Sequence, residues 1–452
     1  MRRRAGFGGS ALQGTLLFCA IVFVVLSLGV EGKVSKQKLL EVVRKLKQLN
    51  KTPVKSIQSE DGDVIDCIDI NKQPAFDHPA LKNHKIQMRP TQAHPPSVED
   101  RKEKDSSAIT IVNQTWHRSG SCPAGTIPIR RVKKSELLRA TSLESYGRKP
   151  YIPPPPPNKT ETDQVIRDNR QYANINDKHI FPSDEGLNLT ALDPHRSTTY
   201  LTTLGYNYIG ASGDINVWNP GVEADDEFST AQIWLMNGPL ESFDSVEAGW
   251  IVNPKLFGDR RTRLFAYWTD DASQRTGCFN LVCAGFVQTS HEVALGAAMA
   301  VTSSEIGAQY QISLSMYMDT ETGNWWLGFG SKNITIGYWP GALFSSLQHS
   351  AVIVKWGGEV YSTKILGQKP HTATAMGSGN FAWGLWGHAC FIQHIRIRDY
   401  SLYWKYPEWE FLWQMKQTAT ELYRTDHNHS QSLFCTLEDL VETTFARDET
   451  HI

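Results

Sequence analysis

Long hydrophobic runs are nearly absent from this 452-residue chain. Leu16–Leu28 is predominantly apolar, and no later segment is apolar enough to span a membrane. That run follows Met1-Arg-Arg-Arg4 and leads into small residues up to Gly32. The layout predicts a secretory signal peptide over 1–32, with an uncleaved signal anchor as the alternative.

Cysteine is also sparse, with seven in all. Cys19 falls inside the signal, leaving Cys67, Cys122, Cys278, Cys283, Cys390 and Cys435. An even set in an oxidising compartment predicts disulfides, and the layout pairs Cys67 with Cys122, Cys278 with Cys283 and Cys390 with Cys435. The soft ligands of a zinc site are missing at motif spacing. Sequons at Asn50, Asn113, Asn158, Asn188, Asn333 and Asn428 fit an exported glycoprotein.

Several catalytic signatures are incomplete. His291-Glu292 begins like a zinc-protease helix, yet Leu295 stands where the second histidine belongs. Asp319-Thr-Glu321 lacks the glycine that follows an aspartic-protease Asp-Thr, and has no second copy. Ser378 in Met376-Gly-Ser-Gly379 lacks the glycine of a nucleophile elbow at Met376, so the stretch reads as a tight turn. His78 and His84 could form a metal pair, but a structural role is the expectation. No nucleic-acid recognition motif is present, and neither sign of charge prevails, the formal net charge being −1.

That balance hides an asymmetry. Residues 33–150 carry 23 lysines and arginines against 13 acids, and residues 151–452 carry 20 against 33. The two halves are expected to attract at neutral pH and to separate as carboxylates protonate near ~4. Tyr151-Ile-Pro-Pro-Pro-Pro-Pro157 marks the boundary as a semi-rigid linker. Before it, Leu39, Val43, Leu46 and Leu49 recur at helical spacing among lysines, predicting an amphipathic helix over Val34–Asn50. After it, Gln232-Ile-Trp-Leu, Arg263–Trp268, Gln311–Tyr317 and Ile334–Tyr338 alternate in period two between glycine-rich turns, the pattern of an all-β antiparallel sandwich.

Two of the strand-like stretches carry a glutamate beside glycine and tryptophan: Ser245-Val-Glu-Ala-Gly-Trp250 and Lys355-Trp-Gly-Gly-Glu-Val360. Strand periodicity puts Glu247 on one face with Gly249 and Ile251, and Glu359 on one face with Gly357. Glycines beside an inward carboxylate leave a floor on which a peptide backbone can lie. Taken alone, two glutamates in strands are more often solvated surface charges.

The ordered motifs tip the balance. Cys67-Ile-Asp-Ile-Asn-Lys-Gln-Pro-Ala-Phe-Asp-His-Pro79, Leu81-Lys-Asn-His84 and Cys122–Arg130 resemble the activation peptide of the plant neprosin family. Gly210–Pro220, Gln232-Ile-Trp234, Val246–Trp250, Asn253-Pro254, Thr262–Phe265, Tyr267–Thr269, Gly277-Cys278, Gly285–Gln288, Trp356–Val360 and Met376–Gly379 resemble successive blocks of its catalytic domain. The resemblance implies a secreted, acid-activated glutamic peptidase that cleaves after proline. Its catalytic glutamates would be Glu247 and Glu359, and it would need no metal or cofactor. Two carboxyls sharing a proton can divide the work, one taking a proton from water and the other polarising the carbonyl. Gln232 is a candidate for holding the water or the oxyanion.

The expected organisation is a signal over 1–32, a mixed α/β activation propeptide over 33–150, a linker over 151–169, a catalytic sandwich over 170–415 and a tail over 416–452. The maturation cut is expected between about 148 and 170, on the exposed linker. Expected partners are proline-containing peptides and the chain's own propeptide as inhibitor, with no nucleic acid and no lasting membrane span. Location in the cell wall or an acidic extracellular compartment follows from the signal. The alternative is a catalytically silent wall protein that binds carbohydrate. Thirteen of the 14 tryptophans follow residue 217, and Tyr403-Trp-Lys-Tyr-Pro-Glu-Trp-Glu-Phe-Leu-Trp413 could present a sugar-stacking surface.

Overall fold

The computed structural model describes residues 36–92, 108–110, 113–151, 195–239, 241–365 and 372–408, together with the backbone of 411–414, 419–427 and 430–438. The signal segment, most of the proline linker, Asn158, Asn188 and Asn428 lie outside the described residues. Among those described, no helix is long and apolar enough to cross a membrane.

The N-terminal unit is mixed α/β, as its sequence predicts. Helix α1 (Lys36–Leu49) buries Val42. It is followed by β1 (Lys55–Gln58), β2 (Val64–Asp69), the short β3 (Ile109–Thr110), β4 (Thr126–Arg130) and α2 (Lys134–Arg139). Strands β1, β2 and β4 form one antiparallel sheet. Cys67 on β2 is disulfide-bonded to Cys122. Covalent closure suits a unit with so small a core of its own. Asn50 does not sit free at the surface, because its amide exchanges hydrogen bonds of 2.9 Å with both the N–H and the carbonyl of Val132.

The second unit is an antiparallel sandwich. Its strands are β5 (Arg196–Tyr208), β6 (Gly210–Asn216), β7 (Phe228–Asn237), β8 (Asp244–Val252), β9 (Arg263–Thr269), β10 (Val287–Gln288), β11 (Tyr310–Met318), β12 (Trp325–Phe329), β13 (Ile334–Trp339), β14 (Ala351–Tyr361), β15 (Cys390–Arg398), β16 (Trp404–Lys405), β17 (Phe411–Gln414), β18 (Ala419–His427) and β19 (Ser430–Glu438). A short helical turn, α3 (Pro254–Phe257), joins β8 to β9. One sheet runs β17-β5-β14-β7-β8-β9, the other β10-β13-β12-β11-β6-β15-β19-β18. The N-terminal unit adds β3 in parallel to the edge of β11.

Tryptophan dominates the interface between the sheets. Trp250, Trp325, Trp339 and Trp356 are fully buried in one cluster with Val246, Ala248, Ile233 and Leu235. Each fully buried aromatic contributes several kcal/mol, about 3–5 if truncated to alanine. Met376–Gly379 forms the turn expected of it, the Gly379 N–H donating to the Met376 carbonyl at 3.0 Å. Cys278 and Cys283 are bonded. Cys390 stands directly opposite Cys435 across β15 and β19. The tail is not an appendage. Its strands β18 and β19 extend the larger sheet, and β17 pairs with β5 at the edge of the smaller one.

Candidate active site

The smaller sheet is buried on both faces along β8, where all nine residues are buried. One face packs into the sandwich and the other lies under the N-terminal unit. Ile251, Phe228, Phe265, Tyr267, Phe279 and Tyr361 of the sandwich cluster with Val42, Val132, Leu137, Ala140 and Tyr146 of that unit. The apolar surface covered in this way is the outer face that carries both glutamates.

Register defines the floor of this cleft. Gln232 on β7 pairs with Gly249 on β8 and with Gly357 on β14, so three strands meet in one row with a single long side chain at the centre. Glu247 is two residues from Gly249 on one side, and Glu359 is two from Gly357 on the other. Neither glycine is replaceable without displacement. A Cβ at Gly249 would meet the Ala231 carbonyl oxygen at 2.1 Å, and one at Gly357 the Thr199 carbonyl oxygen at 2.0 Å.

The glutamates converge on one nitrogen. The Lys149 ammonium lies 2.6 Å from Glu247 Oε2 and 3.5 Å from Glu359 Oε2. Gln232 Nε2 donates to Glu247 Oε2 at 2.7 Å, and Ser245 Oγ donates to Glu247 Oε1 at 2.9 Å. Arg196 pairs with Glu359 Oε1 and donates through its other terminal nitrogen to the Pro150 carbonyl at 2.8 Å. Both carboxylates are buried, Glu247 at 3 % and Glu359 at 4 % exposure. Burial pushes the Glu359 carboxyl upward, but Arg196 and Lys149 outweigh that and hold it below the usual carboxylate range. The Oε1 atom of Gln232 is buried with no hydrogen-bond partner among the described residues. An unsatisfied acceptor in the middle of the floor is poised for a donor such as water or a protonated carboxyl.

Of the residues singled out from sequence, Glu247, Glu359 and Gln232 are brought together. His78 and His84 are not a metal pair. The His78 ring accepts from the Ala80 N–H and meets Trp268 edge-on, while His84 bonds the Tyr338 hydroxyl at 2.7 Å. Both serve the contact between the two units. Asp319 is no catalytic acid either: its carboxylate accepts from Gln87 Nε2, the Thr91 N–H and the Thr91 hydroxyl at 2.6–2.8 Å. Lys149, Arg196, Ser245 and Lys355 were missed. Ser245 and Lys355 were open to strand alternation, since each shares a face with a glutamate. Lys149 and Arg196 belong to chain remote from β8 and β14 and carried no motif.

The family profile described as Neprosin matches residues 225–437, and that described as Neprosin activation peptide matches 56–176. The chain belongs to the neprosin family. As a neprosin-family chain it carries its own activation peptide, and it is that peptide whose Lys149 fills the cleft. Among solved structures it is similar to scytalido-glutamic peptidase with a transition-state analogue inhibitor (TM-score 0.30, 9 % identity, 53 % of this chain and 97 % of that one). It is also similar to SCP-B, an eqolisin-family peptidase in complex with the tripeptide Ala-Ile-His (TM-score 0.28, 10 % identity, 54 % and 98 %). A lesser likeness is to a β-porphyranase of the human gut bacterium Bacteroides plebeius (TM-score 0.18, 7 % identity, 34 % and 53 %).

Proposed function

We propose that the chain is the zymogen of a secreted, acid-activated endopeptidase that cleaves on the carboxyl side of proline, with Glu247 and Glu359 as its catalytic pair. The observation that carries this reading is the convergence of both carboxylates on the Lys149 ammonium, with Gln232 between them. Once Lys149 leaves, two buried carboxylates cannot both keep a full charge, and they share a proton.

Their neighbours divide the roles. Arg196 lies beyond the linker, stays with the sandwich and continues to favour ionised Glu359. Among the described residues Glu247 retains the neutral hydrogen-bond donors Gln232 and Ser245 and has no direct ion pair, the Lys355 ammonium acting on it only through space. Glu359 is therefore the base that takes a proton from water, and Glu247 is the protonated partner that polarises the peptide carbonyl and then protonates the departing nitrogen. Gln232 holds the water or the developing oxyanion. Proline specificity draws support from the family resemblance and from Pro150, whose carbonyl already rests on Arg196 within the cleft.

Acid activation draws support from the contacts that hold the activation peptide down. Asp63 of the peptide pairs with buried Arg263 of β9 and with Arg130. Burial raises the Asp63 pKa, and Arg263 and Arg130 more than reverse this. Asp319 is likewise raised by burial and brought lower by the Thr91 and Gln87 donors. A carboxyl depressed in the closed state stabilises it fully above its ordinary pKa of ~4 and ceases to do so as pH falls through the depressed value. Release is thus expected below about pH 4. Exported glycoprotein status rests on the N-terminal segment and the sequons.

The test is to hold the secreted full chain at pH 7 and pH 3 while following its mass and a proline-containing peptide. Acid-dependent loss of the activation peptide and cleavage after proline, both absent in Glu247→Gln and Glu359→Gln, are the expected outcome. An intact chain and an untouched peptide at every pH, in folded protein, would sink the proposal. A carbohydrate-binding reading has one observation in its favour: Trp383, 67 % exposed, stacks on Phe381, and Trp386 stacks on Phe391. Polysaccharide retention that survives loss of both glutamates would favour it.

A further inference from the structure

Lys355 lies on β14 four residues before Glu359, on the same cleft face, with Gly357 between them. It pairs across the sheet with Trp234, and Trp234 pairs on its other side with Glu247. The ammonium rests 4.3 Å from the centroid of the Tyr200 ring, and the Tyr200 and Trp234 rings are 6.3 Å apart. The side chain is half-buried. The ion pairs of the cleft join Lys149 to both glutamates and Arg196 to Glu359. Among the described residues, no carboxylate lies within pairing distance of Lys355. Burial pushes its pKa down to about 8, against the favourable pull of Glu247 and Glu359.

A half-buried ammonium facing only an aromatic ring gives up hydration without gaining a counter-ion. The described part of the activation peptide does not supply one. Its described stretch 147–150 enters beside β9, where the Phe279 N–H donates to the Gly147 carbonyl and Lys149 passes over Tyr267, and Pro150 then meets Arg196. That track runs along the Glu359 end of β14, away from Lys355.

We propose that Lys355, walled by Tyr200 and Trp234, forms a subsite for a carboxylate of the peptide substrate. The inference rests on the peptidase reading above and names a preference within the same cleft. The aromatic walls take the aliphatic stem of the bound group, the ammonium takes its charge, and side-chain-free Gly357 leaves room for the approach. The carboxylate could belong to an aspartate or glutamate side chain or to a chain terminus. In either case it must be ionised, so the preference holds above about pH 4 and fades below it.

The test uses acid-matured protein and proline-containing peptides of one length. Each position near the cleaved bond carries Gln or Glu in turn, and each peptide is made as a free acid and as an amide. At pH 5 the carboxylate peptide is expected to show about tenfold higher kcat/KM, through KM, as for one charge-assisted contact. The ratio should fall to about one at pH 3, fall likewise at pH 5 in Lys355→Gln, and invert in Lys355→Glu. The arm that shows the preference identifies a side-chain or terminal carboxylate. A wild-type ratio near one in every arm, or a preference undiminished in Lys355→Gln, overturns the proposal. So does an equal loss on acidic and neutral peptides, which would mean that the lysine only tunes the glutamates. If no peptide is cleaved, the peptidase reading fails, and equilibrium binding of the same peptides decides the subsite. Tighter binding of the carboxylate peptide that is lost in Lys355→Gln supports it, and equal binding overturns it.

Discussion

The Lys149 ammonium lies 2.6 Å from the carboxylate of Glu247, so the activation peptide itself supplies the counter-charge for a buried acid of the sandwich. The same lysine reaches Glu359, which sits two strands away in the same sheet. Latency in this arrangement is electrostatic at the glutamates and hydrophobic around them, where Leu137 and Tyr146 cover the aromatic floor. Acid acts only on the electrostatic part.

Replacing Lys149 by glutamine should therefore loosen the closed state wherever the glutamates are ionised, and least at low pH. Removing one partner of a buried pair costs roughly 3–5 kcal/mol, because among the described residues the two glutamates are then left with Arg196 as their one ion-pair partner. The midpoint of peptide release should move up by about one pH unit or more. Mass analysis across a pH series reads this directly, and an unchanged midpoint would argue that the lysine is incidental.

Asp63→Asn should act in the same direction from outside the cleft. It leaves buried Arg263 with Asp259 alone, and Arg130 with Glu136. Because the Asp63 pKa is depressed in the closed state, the wild type gains this stabilisation above pH ~4 and loses it on acidification. The variant should lack it already at pH 7, with a thermal transition lower by several degrees there and a difference that shrinks towards pH 3. A difference independent of pH would mean that Asp63 contributes through packing.

Arg196→Gln tests the assignment of the base. The acidic limb of kcat/KM reports the pKa of the essential base in the free enzyme. Removing the guanidinium lets burial prevail at Glu359, so its pKa rises and the limb moves towards neutrality by about one to three units. Activity at pH 3 should fall while activity near pH 6 is better retained. A limb that stays in place would transfer the role of base to Glu247.

Gly249→Ala tests the floor. The added Cβ has no room against the Ala231 carbonyl oxygen, and overpacking of this kind costs about 1–3 kcal/mol. The strand must shift beside Gln232, so peptide cleavage should fall by tenfold or more, about 1.4 kcal/mol in the barrier, before unfolding sets in. Circular dichroism melting run beside the peptide assay separates the two effects.

Much of this was legible in the amino-acid order, and the limits are physical. Alternation of small and aromatic residues foretold β7, β9, β11 and β13, because a strand buried on one or both faces must repeat with period two. Alternation also put Glu247 with Gly249, and Glu359 with Gly357, before any partner strand was known. The short spacing of Cys278 and Cys283 made their bond readable, since five residues apart in a turn leaves little choice.

Period two cannot say which strand lies between two others. That β7 separates β8 from β14, and so sets Gln232 between the glutamates, is a property of sheet order alone. Nor does a count of basic residues in 33–150 reveal that Lys149 is the one desolvated against the carboxylates while Asp63, an acid of the same basic unit, pairs with Arg263 across the contact. Sequence fixes local geometry through backbone sterics and side-chain alternation. Burial, counter-charge and the resulting proton affinities depend on residues far apart in the chain, and only the tertiary structure decided them.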